Sequence, residues 1–256
     1  MFKASALCLR LWVGLLCFVC FAAYNLSSII LDILEFYSLP AFSSRKAQEK
    51  LNKYIKNNFK TIFPGEKITS KSVCLTFDDA YADFYFLIFP LLKKYNLKAL
   101  LAIPSKYILD DTDEEAENRM NFEHNDLFEN YQKATFCTYK ELKQMQESGL
   151  VVFGSHSHSH IDLTQKQVDL DLELRVSKQI LEDKLNTNID SFVFPFGKYN
   201  QDILKEAKKY YQYNFRIGNA IHKDFSGING AIYRVDGDNL KTADEIFKTT
   251  KLLKYK

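Results

Sequence analysis

Short apolar runs alternate with amphipathic stretches along the chain from residue 72 onward. The apolar runs predict strands at 72–77, 99–103, 150–154, 191–194 and 232–235. Helical periodicity between them predicts helices at about 84–95, 138–149, 164–185 and 200–211. Strands that alternate with helices of this length imply a mostly parallel sheet, either open or closed into a barrel.

Several of the predicted helices begin with residue types that cap helix N-termini. In a capping box, Ser or Thr is followed three residues later by Glu or Gln, and each side chain accepts the other residue's backbone N–H. The matching pairs are Thr138 with Glu141, Thr164 with Gln167 and Thr242 with Glu245. Asn200 is the predicted cap of the helix that runs to Tyr211.

The first 36 residues have a different character. An unbroken apolar run, 11–24, follows Lys3 and Arg10. Its length matches the apolar core of a signal peptide, about 7–15 residues, and falls short of the roughly 20 that a spanning helix needs. We predict that residues 1–36 are a signal peptide, with an uncleaved membrane anchor over 11–31 as the alternative.

Residues 37–69 form an amphipathic lead-in to a domain that spans 70–256. Leu51, Tyr54, Ile55 and Phe59 lie at helical spacing and predict a helix over 44–61. Lysines follow the apolar run, and the positive-inside rule would keep such a flank in the cytoplasm. Export to the periplasm or cell envelope is still favoured, with anchoring to the inner membrane if the segment is not cleaved.

The charge balance excludes one class of partner. Against 34 Lys and Arg stand 32 Asp and Glu, so the formal net charge of the 256 residues is +2. A nucleic-acid partner is not expected, because binding one needs a strong basic excess or a concentrated patch. Outside the apolar segment the cysteines are Cys74 and Cys137, too few and too distant for a disulfide scaffold.

One acidic segment interrupts the alternation of strands and helices. Between Asp110 and Glu129 there are nine acidic residues and a single Arg119, without an apolar period. The segment predicts a solvated insertion in a βα connection, where it can overhang a site.

Three short motifs follow three of the predicted strands, at the strand ends that face one crevice in parallel α/β architectures. They are Thr76-Phe77-Asp78-Asp79, His156-Ser157-His158-Ser159-His160 and Phe194-Pro195-Phe196-Gly197. His156 and His160 are four residues apart, so one helical turn or a tight loop places both imidazoles on one face, within reach of a metal ion. His158 should point elsewhere.

Together, and in this order, the motifs resemble those of the polysaccharide deacetylase family (carbohydrate esterase family four), over roughly residues 70 to 236. The resemblance implies an α/β fold, a single-domain distorted (β/α) barrel with fewer than eight units. It also implies removal of N-acetyl groups from a glycan with a divalent metal, for which zinc is the first choice.

Carried over residue by residue, the resemblance implies that Asp79, His156 and His160 are the metal ligands. Asp78 would be the general base, and the backbone N–H of Phe196 would stabilise the oxyanion. Arg234 is the candidate for the cation that keeps Asp78 ionised.

The chain departs from the family pattern at two points. Ala80 stands where the family has glycine, and no histidine follows His222, although the family uses a late histidine to protonate the leaving amine. We predict His222 as the better remaining candidate for this acid, since His124 lies in the acidic insertion.

The first functional prediction is therefore a metal-dependent N-deacetylase that acts on N-acetylglucosamine-type units of a cell-wall or surface polysaccharide. Two alternatives stay open. The chain could be a catalytically silent glycan-binding or assembly protein that retains the metal site. It could also be an O-acetyl esterase, because an alkoxide leaving group needs less help from an acid than an amine does.

Overall fold

The computed structural model describes residues 20–24, 29–36, 60–68, 72–218, 220–222 and 224–236. The strands are β1 (Cys20–Tyr24), β2 (Ile29–Phe36), β3 (Lys60–Thr61), β4 (Ser72–Phe77), β5 (Ala99–Ile103), β6 (Val151–Ser155), β7 (Ser191–Val193), β8 (Tyr213–Ile217), β9 (Ala220–Ile221) and β10 (Ile232–Asp236). The five strands predicted from the apolar runs are all present, with ends that differ by one residue at most.

Seven of the described strands are parallel and pair in a continuous circuit. Strands β4, β5, β6, β7, β8 and β10 follow one another, each paired with the next. Strand β2 then joins the two ends, because it pairs with β10 on one side and with β4 on the other. The prediction of a distorted (β/α) barrel with fewer than eight units is confirmed.

Side-chain alternation along the strands separates two apolar layers. Val73, Leu75 and Phe77 belong to the large core between the strands and the helices. Cys74, on the opposite face of β4, packs in a smaller cluster that includes Ile232 of β10. Since successive strand residues point to opposite faces, Thr76 shares the face of Cys74, and Arg234 shares the face of Ile232.

Helices connect the parallel strands. They are α1 (Phe89–Tyr95), α2 (Ala116–Arg119), α3 (Tyr139–Glu147), α4 (Ser177–Leu185) and α5 (Gln201–Ala207). Single π-helical segments precede α1 and α4, at Phe84–Ile88 and Asp171–Val176. The capping box of Thr138 and Glu141 is present at the start of α3, and the Asn200 side chain accepts the N–H of Ile203 at the start of α5.

The predicted start of the helix over 164–185 is wrong. Residues 164–167 form turns, and Gln167 has a positive φ of 65°, so Thr164 and Gln167 do not form a capping box. Instead the Asp169 carboxylate accepts the N–H groups of Asp171 and Leu172. A short acidic side chain there satisfies the free N–H groups of the first turn.

Three sequence predictions concern residues that the structure describes in part or not at all. Residues 20–24 and 29–36 are strands, the remainder of 1–36 lies outside the described residues, and the signal peptide or anchor stays a prediction. Of the predicted helix over 44–61, only Lys60–Thr61 is described, as β3, and the predicted helix at Thr242 lies outside the described residues. Within the described part of the chain, no helix combines the length and apolar character required to cross a bilayer.

The acidic insertion is held in place by a buried ion pair. Arg119 is almost fully buried and makes two hydrogen bonds to the Glu141 carboxylate, at 2.6 and 2.8 Å. The same guanidinium donates to the carbonyl oxygens of Ala134 and Phe136. The insertion is therefore docked on α3, and its one arginine is a buried anchor where a fully solvated segment was predicted.

Candidate active site

The carboxyl ends of β4, β6 and β7 lie along one edge of the sheet, because β4 pairs with β5, β5 with β6, and β6 with β7, all in parallel. The two aspartates follow β4, the histidine run follows β6, and the Phe194–Gly197 turn follows β7. Three segments far apart in sequence thus meet at one edge of the barrel.

A tight turn after β4 directs the two adjacent carboxylates to different partners. Asp79 and Ala80 both have left-handed backbone conformations, with φ of 68° and 56°, and the Ala80 N–H donates to the Asp78 carbonyl at 2.9 Å. Left-handed backbone is costly for residues with a Cβ, which is the physical reason for a glycine at the Ala80 position. The turn leaves both Asp78 and Asp79 almost fully buried.

Asp78 is held by a fully buried arginine. The Arg234 guanidinium donates to both carboxylate oxygens of Asp78, at 2.8 and 2.9 Å, and to the Thr76 hydroxyl at 3.2 Å. The alternation along β4 and β10 brings these three side chains to the inner face of the barrel. A bidentate pair of this kind fixes the orientation of the carboxylate and balances its charge.

Asp79 lies against two histidines. Its Oδ1 atom is 3.5 Å from His156 Nε2 and 3.1 Å from His160 Nε2. One potential ligand atom from each of these three side chains lies within 4.8 Å of the others. Asp78 borders the same group, because its Oδ2 atom is 3.7 Å from His156 Nε2.

The donor atoms of this cluster fit a divalent metal ion. Among the described residues, the buried Asp79 Oδ1 and His156 Nε2 atoms have no hydrogen-bond partner. His156 Nδ1 lies 2.8 Å from the Val193 carbonyl oxygen, which can only accept, so Nδ1 carries the proton and Nε2 presents its lone pair. Two imidazoles and one carboxylate leave coordination positions open, as in catalytic zinc sites.

Burial adjusts the protonation of the three cluster residues. It lowers the pKa of His160 to about 4 and also lowers the pKa of His156, so both rings are neutral near pH 7. Burial raises the pKa of Asp79 to about 6, against the opposing effect of His156. Neutral imidazole and ionised carboxylate are the forms that ligate metal.

A loop without helical structure positions His156 and His160. Ser157 and His160 have positive φ values of 66° and 51°, and the Ser157 hydroxyl accepts the His160 N–H. The buried Glu173 carboxylate accepts the N–H groups of His158 and Ser159, at 2.9 and 2.8 Å. The tight-loop alternative, and not a helical turn, therefore brings the two imidazoles together.

His158 points away from the cluster. Its Nδ1 atom lies 2.9 Å from the hydroxyl of Ser105, which in turn bonds to Ser177. Its position agrees with the expectation that it points elsewhere.

Aromatic rings enclose His160. Phe128 of the insertion stacks on the imidazole with ring centres 4.8 Å apart, and Phe196 lies at 4.9 Å on a tilted plane. Phe196 has a positive φ of 58° and is 51% exposed, although it is a large apolar residue. The third motif thus reaches the histidine cluster, and the role of the Phe196 N–H stays a prediction.

The described contacts of His222 are with Tyr233. His222 is buried, and its Nε2 atom accepts the backbone N–H of Tyr233 at 3.0 Å. The described ring contact of His222 is also with Tyr233. Because Nε2 accepts this hydrogen bond, Nδ1 carries the proton of the neutral ring, and the role of His222 as the acid stays a prediction.

Two residues of the site were missed from the sequence. Tyr81 follows the aspartate turn, and its hydroxyl interacts with the Asp79 carboxylate. Glu173 was overlooked in the long helical stretch. It lies four and eight residues before the buried Ser177 and Leu181, so a carboxylate on the buried face was the available signal.

A family profile and several relatives match the chain. The profile described as polysaccharide deacetylase matches residues 65–214. YxkH of Bacillus subtilis, assigned to the same class, is 26% identical over 193 residues, which cover 70% of this chain and 61% of YxkH. The poly-β-1,6-N-acetyl-D-glucosamine N-deacetylase of Escherichia coli K12 is 29% identical over 93 residues, 36% of this chain and 13% of that enzyme. The chain thus spans less than two thirds of the length of either relative.

The fold has counterparts among solved structures. BC0361, a polysaccharide deacetylase from Bacillus cereus, superposes with a TM-score of 0.67 and 19% identity, covering 85% of this chain and 67% of that chain. At this identity the likeness concerns the fold alone. Since the matching profile covers more than half of the residues, the chain belongs to the polysaccharide deacetylase family.

Proposed function

We propose that this chain is a metal-dependent N-deacetylase of a cell-wall or surface polysaccharide built from N-acetylglucosamine-type units. The observation that carries the proposal is the cluster of Asp79, His156 and His160 beside the Arg234-held Asp78. Deacetylases of this family use a divalent metal, and zinc suits a donor set of two imidazoles and one carboxylate.

The chain's own residues divide the work of amide hydrolysis. Asp78 accepts a proton from the attacking water, and Arg234 holds the carboxylate in one orientation while it does so. The Phe196 N–H donates to the oxygen of the acetyl group as negative charge develops there. Asp79, His156 and His160 would hold a divalent cation, which would supply Lewis acidity to polarise the acetyl carbonyl and to lower the pKa of water.

The relatives support the substrate class. The Escherichia coli relative is by name an N-deacetylase of poly-β-1,6-N-acetyl-D-glucosamine. A polymer of this kind is a surface or extracellular polysaccharide, so the proposed substrate goes together with export of the chain. The exposed ring of Phe196 at the mouth of the cluster offers an apolar surface for a sugar face.

Acetate release tests the proposal. The purified protein is stripped of metal, incubated with N-acetylated and O-acetylated glucosamine oligosaccharides with and without added zinc, and assayed for acetate. We expect zinc-dependent release from the N-acetylated substrate. His156→Ala serves as the metal-site control and should show no stimulation by zinc.

Other outcomes favour the alternatives. Release from O-acetylated substrates alone would assign the chain to the esterases. Oligosaccharide binding without any acetate release would indicate the glycan-binding protein.

A further inference from the structure

The loop between the two clustered histidines has a backbone conformation that it cannot keep without support. Ser157 and His160 have positive φ values of 66° and 51°. Residues with a Cβ rarely adopt this left-handed conformation, and they keep it only where the surrounding structure enforces it. Contacts from other segments must therefore hold the loop in place.

The carbonyl oxygens of the loop are held by the turn Ser105–Tyr107, which follows β5. Three donors from this turn reach three consecutive carbonyl oxygens, those of residues 157–159, at 3.2, 3.1 and 3.0 Å. The first two donors are backbone N–H groups, and the third is the Tyr107 hydroxyl. This side of the loop is thus fixed mainly by backbone.

The N–H groups of the loop are held by one side chain. The Glu173 Oε2 atom accepts the N–H groups of His158 and Ser159, at 2.9 and 2.8 Å. Glu173 is 2% exposed, and a buried carboxylate is costly unless hydrogen bonds compensate it. Hydrogen bonds from backbone N–H to a carboxylate are among the stronger ones. A single oxygen atom therefore fixes the middle of the loop.

The element that carries Glu173 is itself fastened to the strand from which the loop departs. Glu173 lies in the π-helical segment Asp171–Val176, and such segments are frequent at functional sites. The buried Ser177 hydroxyl, one turn later, lies 2.9 Å from the hydroxyl of Ser155, the last residue of β6. The Glu173 carboxylate is thus held at a fixed position relative to the start of the loop.

His160 depends on this support more than His156 does. His156 directly follows β6, its N–H donates to the Ile103 carbonyl, and its ring is oriented by the Val193 carbonyl. His160 comes only after the left-handed loop, so the position of its ring follows from the conformation of the loop backbone. The three donor atoms converge only if that conformation is kept.

We propose that Glu173 is a positioning residue for the metal site, an inference that rests on the proposed metal-dependent function. Glu173 acts through the backbone of His158 and Ser159 and is not itself a ligand. It holds the loop so that His160 Nε2 faces Asp79 and His156 before a cation binds. Loss of such support lowers metal affinity, because the cation must then order the loop that presents its ligand.

Zinc affinity is the first test. Glu173→Gln keeps an acceptor oxygen without the charge, whereas Glu173→Ala removes the acceptor. We expect the zinc dissociation constant to rise by about tenfold in the first variant and by about 10² in the second. Competition with a chelator of known affinity measures it. The matched control is Glu182→Gln in α4, whose carboxylate accepts the N–H of Ile189, and it should bind zinc as wild type does.

Hydrogen exchange in the metal-free protein separates this role from a general contribution to stability. Amides of residues 156–160 should exchange faster in Glu173→Gln than in wild type at early times, because the loop opens locally. The control is Leu181→Ala, which removes a fully buried side chain of α4. It should lower the free energy of unfolding but leave zinc affinity and early exchange of the loop unchanged.

Failure of this inference differs from failure of the proposed function. If wild type binds zinc tightly and the Glu173 variants bind it equally well, the positioning role alone is overturned. Unchanged exchange of the loop in Glu173→Gln also overturns it, as does an equal loss of zinc affinity in Leu181→Ala. A wild-type protein that neither binds zinc nor releases acetate overturns the proposed function and this inference with it.

Discussion

Asp78 and Asp79 are adjacent in sequence, yet their side chains have partners of different charge. Asp78 faces a cation, Arg234, whereas Asp79 faces two neutral imidazoles. The left-handed turn at Asp79 and Ala80 makes this division, because it rotates one carboxylate away from the other. The same turn keeps both carboxylates in one buried pocket, where an unpaired charge is costly.

The first prediction separates the two aspartates. Asp78→Asn should retain the metal but lower acetate release by at least about 10², since the amide cannot accept a proton. Asp79→Asn should instead weaken metal binding, because a neutral amide replaces an anionic ligand. Zinc content and acetate release of both variants are measured side by side. Identical behaviour of the two would contradict the division of labour.

The second prediction concerns the histidine run. His156→Ala or His160→Ala should abolish tight zinc binding, because each removes one of three converging donors. His158→Ala should retain most of the zinc, because that ring bonds to Ser105. Elemental analysis of the purified variants measures the difference. The ligand assignment fails if all three variants carry as much zinc as wild type.

The candidate site was predictable from sequence only where its residues follow strand ends. Asp78, Asp79, His156 and His160 could be named because parallel strands bring such positions to one edge. The position of His124 against Tyr81 could not be predicted, because the acidic stretch that contains it has no regular pattern. Its placement depends on tertiary packing, which local patterns do not encode.

At the level of elements, the acidic insertion is the segment whose structure differs most from the prediction made from its sequence. Its nine acidic residues predict a solvated loop, and most of them are indeed outside the core. The charged residue of the insertion that is buried is its single arginine. The Arg119 guanidinium donates to the Glu141 carboxylate. That carboxylate also accepts the Thr138 N–H as part of the helix cap. One carboxylate thus joins the insertion to the start of α3.

The third prediction tests this anchor. Arg119→Met leaves the Glu141 carboxylate without its partner, and breaking a buried ion pair from one side costs about 3–5 kcal/mol. The free energy of unfolding, measured in urea, should fall by that amount. The control is Arg175→Met, which breaks a pair with Asp171 whose side chains are 46% and 54% exposed, and which should lower the free energy of unfolding far less. Equal losses in the two variants would contradict a role for the buried pair.

At the level of the whole molecule, the alternation of strands and helices was predictable from Ser72 to Val235, because buried parallel strands are continuous apolar runs. Strands β1 and β2 were not predicted, since an apolar segment near a basic N-terminus has the pattern of a signal peptide. Strands β3 and β9 have two residues each, too few to leave a periodic pattern.

The fourth prediction concerns the stability of the whole molecule as a function of pH. Burial lowers the pKa of His222 to about 4 from its ordinary 6.5. Above pH 6.5 the ring is neutral in both the native and the unfolded state, so His222 does not lower the free energy of unfolding. As the pH falls towards 4, His222 binds a proton in the unfolded chain but not in the native state, so the free energy of unfolding falls. By about pH 5 the loss from this residue is about 2 kcal/mol.

His222→Gln isolates this contribution, because glutamine can still accept the Tyr233 N–H but does not titrate. Free energies of unfolding in urea are measured for both proteins at about pH 7.5 and about pH 5. The variant should lose about 2 kcal/mol less than wild type over this interval. Parallel losses would show that His222 is not the group that titrates.

The two phenyl rings around His160 have a consequence for spectroscopy. Protons held above an aromatic ring resonate upfield, because the ring current shields them from the applied field. Phe128 stacks on the imidazole at an angle of 15° between the planes, so the carbon-bound protons of His160 lie in that shielded zone. In a proton NMR spectrum of histidine-labelled protein, the His160 signals should therefore move downfield whenever Phe128 leaves. Phe128 belongs to the insertion and His160 to the cluster. One resonance therefore reports whether the insertion is packed against the cluster.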